Sequence, residues 1–496
     1  MMPASKLDRR YEDLNIGDHV YFNRCFEQKD FGPFSRLSGD FNPLHHDAEY
    51  AALTAFAEPI VPMHMTAAPL SAIAGMMLPG HRSLYLGTDM RSLKPLRFGQ
   101  EITYSAKIAA KNDAGSILSI KVIAFDALDV LFEATMSVQV RDDVPASSAP
   151  RHDEKIKILS PDKPRLLITG AGGHIGRCIG LAAARQGWNL VLQSRGNPKT
   201  VKELAAKYQA MGAQVSLIKS ALETDGGIKK ILAALSKDSP ITDIVHAASP
   251  PINANLSSLM AVNFTALRKL CAGVIPNMLC RQSGSIVLLG SSAAQFNPSG
   301  WENYTAAKAA ASQYTEALNT AYGPHGITGW TVAPGYVDTP FSAPWRNSET
   351  PSLLPEQVAE EIITCLQKAR DGSRGQYIWM APGVSRSGIF GFHSPNVKAP
   401  MSGPLNRDGA DQERTQSVRM NDTTDNVLEM IRNYIGLDAG EDMSTAGVDI
   451  SPGWDSLKHI QLMLFLEETL GVTIGAHEIE KTKTAADFCD LVAGKL

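Results

Sequence analysis

The hydrophobic and polar positions in the first part of the chain indicate a helix followed by a sheet. Apolar residues occupy nearly every position of 65–77, a pattern typical of a buried helix, and Pro69 is the one residue that fits a helix poorly. Three strand-like runs follow at 102–109, 116–124 and 130–140, separated by short polar turns. The pattern therefore predicts an α+β domain over residues 1–143, in which an antiparallel meander wraps a buried helix.

The middle of the chain has a different pattern, in which short apolar strands lead into helical runs. Residues 165–168, 189–193 and 286–289 read as strands, and the first of them passes through a glycine-rich turn into a helical run that continues to Ala184. Strands that alternate with helices favour a parallel sheet covered on both faces. We therefore expect a doubly wound α/β domain, the Rossmann arrangement, over residues 165–392.

The last 72 residues, 425–496, show helical periodicity. Apolar runs at 427–435 and 485–496 flank a segment in which Leu457, Ile460 and Leu464 lie on one helical face. These three segments predict a small all-α domain here, in which the resemblance given below implies four helices. Two stretches rich in proline and polar residues, 144–164 and 393–424, resist packing into a core and are predicted to be linkers.

Composition limits the class of protein. The chain has 496 residues, of which 44% are hydrophobic and 20% charged. A chain of this length is too long for one hydrophobic core and suits about three domains. We find no membrane-spanning run, signal sequence, cysteine pairing or basic aromatic block, so we expect no membrane, metal or nucleic-acid partner and a cytoplasmic location.

Candidate chemistry in the first domain lies before the predicted helix, at Asp40 and His45. These residues are five positions apart across Asn42-Pro43, a turn that can bring a carboxylate and an imidazole to one point. Such a pair could hold and activate one water molecule. The alternative is that Asp40 and Asn42 only build a proline-containing turn while His45 packs locally.

The string Ser-Gly-Asp-Phe-Asn-Pro-Leu-His at 38–45 resembles the hydratase motif of MaoC-like, R-specific enoyl-CoA hydratases, and the resemblance covers roughly 11–140. It implies a hot-dog fold in which Asp40 and His45 add water across a 2-enoyl thioester. The chain departs from the family at 60–64, where Ile-Val-Pro-Met-His replaces the usual Ile-Val-His-Gly-Met. Met63 could still offer a backbone N–H to the thioester carbonyl, but with more bulk than glycine.

The glycine-rich turn of the second domain is suited to a dinucleotide. Residues 169–176 have the spacing Thr-Gly-x-x-Gly-x-x-Gly, which places a pyrophosphate at a helix N-terminus, and we expect Gly172 and Gly173 to keep the turn tight. The next strand ends in Ser194-Arg195, without an acidic residue for a ribose 2′-hydroxyl. Arg195 would instead meet a 2′-phosphate, so the sequence favours NADPH over NADH.

Tyr304 and Lys308 occur one helical turn apart in an alanine-rich helix, 13 residues after Ser291. With Asn263 and the glycine turn, this set resembles the short-chain dehydrogenase/reductases. The resemblance implies that Tyr304 donates a proton, that Lys308 lowers the pKa of Tyr304 and holds the ribose, that Ser291 binds the carbonyl, and that Asn263 anchors a relay water. The cofactor-binding residues that it implies are Gly170, Gly172, Gly173, Ile175, Gly176, Arg195, Ala247, Asn263, Tyr304, Lys308, Pro334, Gly335 and Thr339.

The second domain also departs from its family. The usual Asn-Asn-Ala-Gly after the fourth strand is replaced by residues 246–249, His-Ala-Ala-Ser, and the acidic residue expected on the adenine side is replaced by Ala221. Both changes affect support of the cofactor rather than proton transfer. Ser292 is an alternative to Ser291 as the carbonyl-binding serine.

Ser456 stands in Gly-Trp-Asp-Ser-Leu, at the start of the amphipathic segment of the last domain. Residues 425–496 contain 13 acidic and five basic residues, a net charge of −8, so the remainder of the chain, whose total is −4, carries +4. The unit resembles acyl carrier proteins, whose matching serine carries a 4′-phosphopantetheine arm. The alternative is an ordinary helix cap by Asp455 or Ser456.

These resemblances share one chemistry, at the β carbon of an acyl thioester. They imply an enzyme that reduces 3-oxoacyl to 3-hydroxyacyl thioesters with NADPH, and a hydratase that interconverts 3-hydroxyacyl and 2-enoyl thioesters. A phosphopantetheinyl transferase and separate loading, acyl-transfer or ketosynthase enzymes would be partners, and we expect a homodimer or higher oligomer. Two alternatives remain: the same sites run in the oxidative direction, or a carrier scaffold whose hot-dog domain binds without catalysis.

Overall fold

The protein is described by a computed structural model that covers residues 9–141, 143, 159–161, 163–196, 198–236, 239–347 and 350–388, and, near the C-terminus, 431, 462, 482 and 484–493. The chain divides into a unit of Met1–Leu405 and a unit of Asn406–Leu496. The first unit contains the two domains that carry the candidate sites.

The first domain is an antiparallel sheet packed against helical segments. Its elements are β1 His19–Cys25, α1 Gln28–Ser38, α2 Ala48–Ala52, α3 Met63–Ala67, α4 Pro69–Ala72, β2 Ser83–Ser92, β3 Glu101–Asn112, β4 Ile117–Asp126 and β5 Asp129–Val140. The strand order is β1-β3-β4-β5-β2, with every neighbouring pair antiparallel. The predicted meander is therefore present as β3, β4 and β5, each slightly longer than its apolar run.

The segment predicted as one buried helix is interrupted. Pro69 has no N–H to donate, and the segment divides there into α3 and α4, followed by a π-helical turn at Ile73–Met77. Met65, Leu70 and Ile73 lie in the core against the sheet. The prediction of a helix buried on nearly every side is wrong, because one stripe of the segment is exposed. The exposed positions are Ala68, Ser71 and Ala72.

Strand β2 was not predicted from the sequence, because neither of its faces is buried. It lies at the edge of the sheet beside β5, and most of its residues are exposed on both faces, including Leu84, Tyr85 and Leu86. A strand with neither face buried has no alternation of polar and apolar positions to reveal it. Its outer edge is open among the residues that the structure describes.

The second domain is built on a mostly parallel sheet. Its elements are β6 Arg165–Thr169, α5 His174–Arg185, β7 Asn189–Ser194, α6 Pro198–Gln209, β8 Val215–Lys219, α7 Asp225–Leu235, β9 Asp243–His246, α8 Leu256–Met260, α9 Leu267–Arg281, β10 Gly284–Leu289, α10 Ala293–Phe296, α11 Glu302–Tyr322, β11 Ile327–Pro334, α12 Pro355–Arg370, β12 Tyr377–Ala381 and β13 Val384–Gly388. The strand order is β13-β12-β11-β10-β9-β6-β7-β8, and β13 alone of these is antiparallel to its neighbour.

Helices cover both faces of this sheet. Apolar side chains of α5, α6 and α12 pack on one face, and those of α7, α9 and α11 pack on the other. The predicted doubly wound arrangement is confirmed. The continuous helical stretch Leu256–Arg281, comprising α8, a π-helical turn and α9, is long and apolar enough to cross a membrane by length and composition. Its apolar residues pack within this domain, which accounts for its hydropathy.

The two domains are joined by direct contacts at the C-terminal end of α9. The Gln282 side-chain amide donates to the carbonyls of Ser105 and Lys121, at 3.1 and 3.0 Å. The Ser105 hydroxyl donates to the Cys280 carbonyl at 2.9 Å, and the Lys107 ammonium donates to the Gln282 carbonyl at 2.9 Å. The outer face of β3 and β4 therefore packs directly against the second domain.

Within the described residues of the C-terminal unit lies the helix α13 Ala485–Ala493, in which Phe488 and Cys489 are buried. This helix agrees with the predicted run 485–496. Ser456 and the remaining predicted carrier helices lie outside the described residues, as do most of the two predicted linkers. Leu159, at the end of the first predicted linker, forms an antiparallel bridge with His19 of the first domain.

Candidate active sites

The principal cavity of the second domain lies at the carboxyl ends of β6, β7, β9, β10 and β11. It has a volume of about 550 Å³. The sheet order reverses beside β6, since β7 lies on one side of that strand and β9 on the other. In open α/β sheets, ligands bind at the carboxyl ends of the strands where the order reverses.

The glycine turn forms one wall of this cavity. Gly170 has a φ of +67°, and a Cβ atom on it would lie 2.8 Å from the Cα atom of Ala248. A Cβ atom on Gly176 would lie 2.4 Å from the Gly170 carbonyl oxygen. Gly172 and Gly173 are less constrained, with nearest atoms at 3.4 and 3.2 Å. The tight positions are thus Gly170 and Gly176, rather than the predicted Gly172 and Gly173.

Helix α5 begins at His174, directly after this turn, and its first residues line the cavity. The first N–H groups of a helix have no partner within it and carry partial positive charge. Ile175 and Gly176 therefore lie where a pyrophosphate would accept from backbone N–H groups. A cradle with no room for side chains at Gly170 and Gly176 fits a dinucleotide.

Arg195 lies at the edge of the cavity, where the sequence predicts a 2′-phosphate contact. Its side chain is 71% exposed and forms an ion pair with Glu223, which also lines the cavity. The sequence analysis missed Glu223 because it considered only Ala221, two residues earlier. An acidic group is therefore present on the adenine side, and it competes for the guanidinium that the 2′-phosphate would need.

The predicted reaction centre is assembled beside the glycine turn. Ser291, Tyr304 and Lys308 line the same cavity. The Lys308 ammonium donates to the Leu289 carbonyl at 2.8 Å and lies 5.8 Å from the centre of the Tyr304 ring. The i, i+4 spacing on α11 therefore places the cation beside the phenol, as predicted.

Burial dominates the protonation of both groups. It raises the pKa of Tyr304 to about 12, and a hydrogen bond with the Ser291 hydroxyl opposes this rise. It lowers the pKa of Lys308 to about 7. The hydrogen bond with Ser291 favours the phenolate, and the help predicted from the Lys308 charge stays a prediction. The phenol therefore holds its proton at neutral pH, as a proton donor must, although the raised pKa makes it a weaker acid.

The structure distinguishes the two candidate serines. Ser291 lines the cavity and also accepts the Ala293 N–H at 3.2 Å. Ser292 is fully buried, and its hydroxyl has no hydrogen-bond partner among the described residues. The side chain that can meet a substrate carbonyl is therefore that of Ser291.

Asn263 lies behind the cavity wall, in the π-helical turn Ala261–Ala266. Its amide donates to the Leu259 carbonyl at 3.0 Å, while its fully buried Oδ1 atom has no partner among the described residues. An unpaired buried oxygen suits the predicted water anchor, because ordered waters satisfy such groups. Val262, rather than Asn263, lines the cavity itself.

His246 replaces the first asparagine of the family motif, and the structure gives it a defined place. Its Nδ1 atom lies 3.0 Å from the Thr169 hydroxyl and its Nε2 atom 2.9 Å from the Val262 carbonyl. Because a carbonyl only accepts, Nε2 carries the hydrogen, and Nδ1 accepts from Thr169. Burial and then the Lys308 charge lower the pKa of His246 to about 4, so the imidazole is neutral.

The remaining predicted cofactor residues, Ala247, Pro334, Gly335 and Thr339, also line the cavity.

An aromatic group beside Tyr304, formed by Trp301, Tyr336 and Phe341, was not predicted from the sequence. A tryptophan three residues before Tyr304 was the available signal, since residues one turn apart on a helix share a face.

The second candidate site is the turn after α1 in the first domain. The Nε2 atom of His45 lies 3.9 Å from the Oδ2 atom of Asp40, with side chains 12% and 37% exposed. Asp40 accepts the Asn42 N–H at 3.1 Å, and Asn42 in turn accepts the Leu44 N–H at 3.0 Å, so the polar turn holds the carboxylate in place. The predicted convergence of the two side chains is present.

The orientation of His45 follows from its other nitrogen. Nδ1 lies 2.7 Å from the Ile60 carbonyl, which only accepts, so the neutral ring carries its hydrogen on Nδ1 and turns a free Nε2 toward Asp40. Met63, the departure from the family pattern, begins α3 three residues after Ile60. The unusual segment 60–64 is therefore directly connected to the candidate base.

Comparison with known proteins places these two domains in families. Residues 13–123 match the family described as MaoC like domain, and residues 165–350 match the family described as short chain dehydrogenase. An (R)-specific enoyl-CoA hydratase of Aeromonas caviae is 33% identical over 130 residues, which cover 26% of this chain and 97% of that protein.

Two further relatives of this chain are an oxidoreductase and a reductase. An uncharacterised oxidoreductase of Bacillus subtilis, YmfI, is 30% identical over 205 residues, covering 40% of this chain and 82% of that protein. The very-long-chain 3-oxoacyl-CoA reductase let-767 of Caenorhabditis elegans is 30% identical over 197 residues, covering 37% of this chain and 62% of that protein. A solved short-chain dehydrogenase from Sphingobium yanoikuyae, in complex with NADPH, is similar over 43% of this chain and 87% of its own, with 23% identity and a TM-score of 0.40.

The chain therefore belongs to the MaoC-like family in its first domain and to the short-chain dehydrogenase family in its second. The relatives named above include an enoyl-CoA hydratase and oxidoreductases, the two classes of enzyme that the sequence analysis predicts. The chain spans 62% of the length of the two Caenorhabditis reductases that it matches.

Proposed function

We propose that this protein reduces 3-oxoacyl thioesters to 3-hydroxyacyl thioesters with NADPH and interconverts 3-hydroxyacyl and 2-enoyl thioesters by dehydration and hydration. The observation that carries the reductase is the placement of Ser291, Tyr304 and Lys308 around one cavity with the glycine turn. The hydratase rests on the convergence of Asp40 and His45. The product of one reaction is the substrate of the other, which supports their presence on one chain.

In the reductase, the chain's own groups bind the cofactor and deliver a proton. NADPH, when bound, supplies the hydride. Gly170, Gly176 and the start of α5 would hold the pyrophosphate, and Lys308, which lies beside Tyr304, would hold the nicotinamide ribose. The Ser291 hydroxyl donates to the substrate carbonyl, and the Tyr304 phenol gives its proton to that oxygen as the alcohol forms.

In the hydratase, Asp40 and His45 hold one water molecule between them. The pair takes one proton from this water while the oxygen bonds to C3 of the enoyl thioester and the C2=C3 π bond breaks. A proton then passes from the pair to C2, so the atoms balance and no cofactor is consumed. Dehydration runs through the same groups in reverse.

The reductive direction is favoured over oxidation by the charge at the end of β7. Arg195 is available at the cavity edge, and a guanidinium pairs well with the 2′-phosphate that distinguishes NADPH. The alternative, a scaffold that binds acyl groups without catalysis, applies only to the first domain, where Met63 alters the family pattern.

A carrier function for the last domain is a further part of the proposal. Ser456 would carry 4′-phosphopantetheine, added by a phosphopantetheinyl transferase, and separate loading, acyl-transfer or ketosynthase enzymes would supply and remove the acyl group. Its support is the Asp-Ser-Leu string and the acidic composition of 425–496. Intact mass after transferase treatment should show one arm added to wild type and none to Ser456→Ala. Uptake by Ser456→Ala would remove the assignment.

The test of the two catalytic proposals uses the full chain with matched variants. NADPH oxidation with 3-oxobutyryl-CoA should stop in Tyr304→Phe and persist in Asp40→Asn. Hydration of 2-butenoyl-CoA should stop in Asp40→Asn and persist in Tyr304→Phe. Wild-type protein inert toward both substrates would contradict the proposal, and loss of both activities in either variant would indicate a damaged fold.

A further inference from the structure

We propose that Trp301 closes the inner end of the reductase's acyl pocket and restricts the enzyme to short 3-oxoacyl chains. The inference rests on the reductase function proposed above and assigns the substrate class of that site. Trp301 lines the cavity three residues before Tyr304, and it is only 7% exposed. Its indole meets the Tyr304 ring edge to face, with ring centres 5.9 Å apart and an angle of 90°.

The indole is fixed by further aromatic contacts. Its ring centre lies 6.1 Å from that of Tyr336 and 5.5 Å from that of Trp345, both at steep angles. Edge-to-face pairs of this kind add attraction beyond simple burial. Apolar residues of the same cluster, including Ile252 and Leu259, pack in this region. A ring held from several sides cannot swing away without breaking these contacts, so it forms a rigid wall.

The direction of the substrate follows from the exposure of the aromatic residues. Phe341 also lines the cavity; its ring centre lies 6.4 Å from that of Tyr304, and it is 40% exposed, whereas Trp301 is 7% exposed. The thioester end of the substrate is attached to coenzyme A or a carrier and must leave toward solvent. We therefore place the thioester arm along Phe341 and the acyl end against Trp301.

A closed apolar end discriminates chain length sterically, because a rigid wall leaves no room for added methylenes. One methylene in a hydrophobic pocket changes specificity by roughly 10- to 200-fold. Wild-type kcat/KM should therefore fall at least about 10-fold from 3-oxobutyryl-CoA to 3-oxooctanoyl-CoA, whose acyl chain is about four methylenes longer. Trp301→Ala should raise kcat/KM for 3-oxooctanoyl-CoA and so lower the ratio of kcat/KM between the short and the long substrate by at least about 10-fold.

The matched control is Phe341→Ala, which removes an aromatic wall at the exposed end. It should affect both substrates alike and leave their ratio unchanged. Trp301→Phe retains a ring in the same place and should give an intermediate ratio, which keeps the test valid if Trp301→Ala fails to fold. NADPH binding and thermal melting would verify the fold of each variant.

The outcomes separate this inference from the reductase proposal. If wild type reduces neither substrate, the reductase function fails. If wild type reduces both equally, or if Phe341→Ala rather than a Trp301 variant relaxes the length preference, reductase function stands and the role given to Trp301 is wrong.

Discussion

The Nε2 atom of His45 lies 3.9 Å from the Oδ2 atom of Asp40. This separation is too long for a direct hydrogen bond, but it is suited to two groups that share one water molecule. The free Nε2 of His45 is turned toward that position because its Nδ1 is held by Ile60.

The first prediction is that Asp40→Asn and His45→Ala each lower hydration of 2-butenoyl-CoA by about 10²-fold or more, the usual contribution of a positioned acid or base. The double variant should be little worse than either single one, because both groups act on one water. Steady-state hydration kinetics check this, with NADPH-dependent reduction as the internal control. Fully additive losses would show that the two groups act separately.

The second prediction concerns the buried cation Lys308. Its pKa in the folded protein is about 7, below the ordinary value of 10.5. Between pH 7 and pH 10.5 the unfolded chain binds more protons than the folded one. The unfolding free energy therefore rises with pH across this window, and the protein becomes less stable as the pH falls toward 7. Lys308→Met removes this dependence, and it also removes reductase turnover.

Thermal melts without added NADPH, from pH 7 to pH 10, provide the measurement. Lys308→Met should be more stable than wild type at pH 7, and the difference should shrink toward pH 10. The exposed Lys230, on α7, offers a control whose replacement by Met should give a difference independent of pH. A constant difference for Lys308→Met as well would mean that its burial does not depress its pKa.

The third prediction is that the protein forms at least a homodimer through β2. That strand presents an open edge, and Leu84, Tyr85 and Leu86 are 41%, 40% and 49% exposed, which favours pairing with a second copy. The outer face of β3 and β4 is already covered by the second domain, through Gln282, and is not available for this pairing. Light scattering should give twice the chain mass or more, and Leu84→Lys with Leu86→Lys should lower it. A wild-type monomer with full hydratase turnover would exclude this pairing.

The sequence was informative where chemistry depends on local spacing. The spacing of five positions from Asp40 to His45, and the single turn from Tyr304 to Lys308, fix those pairs almost independently of the rest of the fold. It was uninformative where the result depends on tertiary surroundings. Edge strand β2 has no buried face, and the break at Pro69 leaves an exposed stripe on a segment whose composition is apolar.

The charge environment of the cofactor site also required the fold. Glu223 reaches Arg195 across 28 positions of sequence, and the opposed shifts of the Tyr304 and Lys308 pKa values arise from burial by several elements. The motif could not predict these shifts, because a motif records which groups are near but not how much solvent each has lost.

The fourth prediction concerns His246, which joins Thr169 at the end of β6 to the Val262 carbonyl, next to Asn263. His246→Leu removes the acceptor of the Thr169 hydroxyl proton and the donor to the Val262 carbonyl, at about 1–3 kcal/mol for each. It should lower the melting temperature and reduce kcat more than the KM for NADPH, because Asn263 loses its support. His246→Asn can accept from Thr169 and donate to Val262, so it should restore most of kcat. Equal loss in both variants would show that the amide cannot replace the imidazole.

The last prediction concerns cofactor choice, which depends on two opposed charges at the cavity edge. Arg195 is available to pair with a 2′-phosphate, but in this structure its guanidinium contacts Glu223. Binding of NADPH must therefore exchange one anionic partner for another. Loss of a hydrogen bond to a charged group costs about 1.5–3 kcal/mol. Arg195→Asp should accordingly lower kcat/KM for NADPH roughly 10- to 150-fold and invert the preference toward NADH.

Glu223→Gln is the matched variant, because it keeps the shape of the side chain and removes only the competing charge. It should raise kcat/KM for NADPH relative to NADH, since the guanidinium is then free for the phosphate. Steady-state kinetics with both cofactors, at low and high salt, measure the ratio, and screening should weaken both effects. A wild-type enzyme that uses both cofactors equally, or an Arg195→Asp variant with an unchanged ratio, would show that this edge does not select the cofactor.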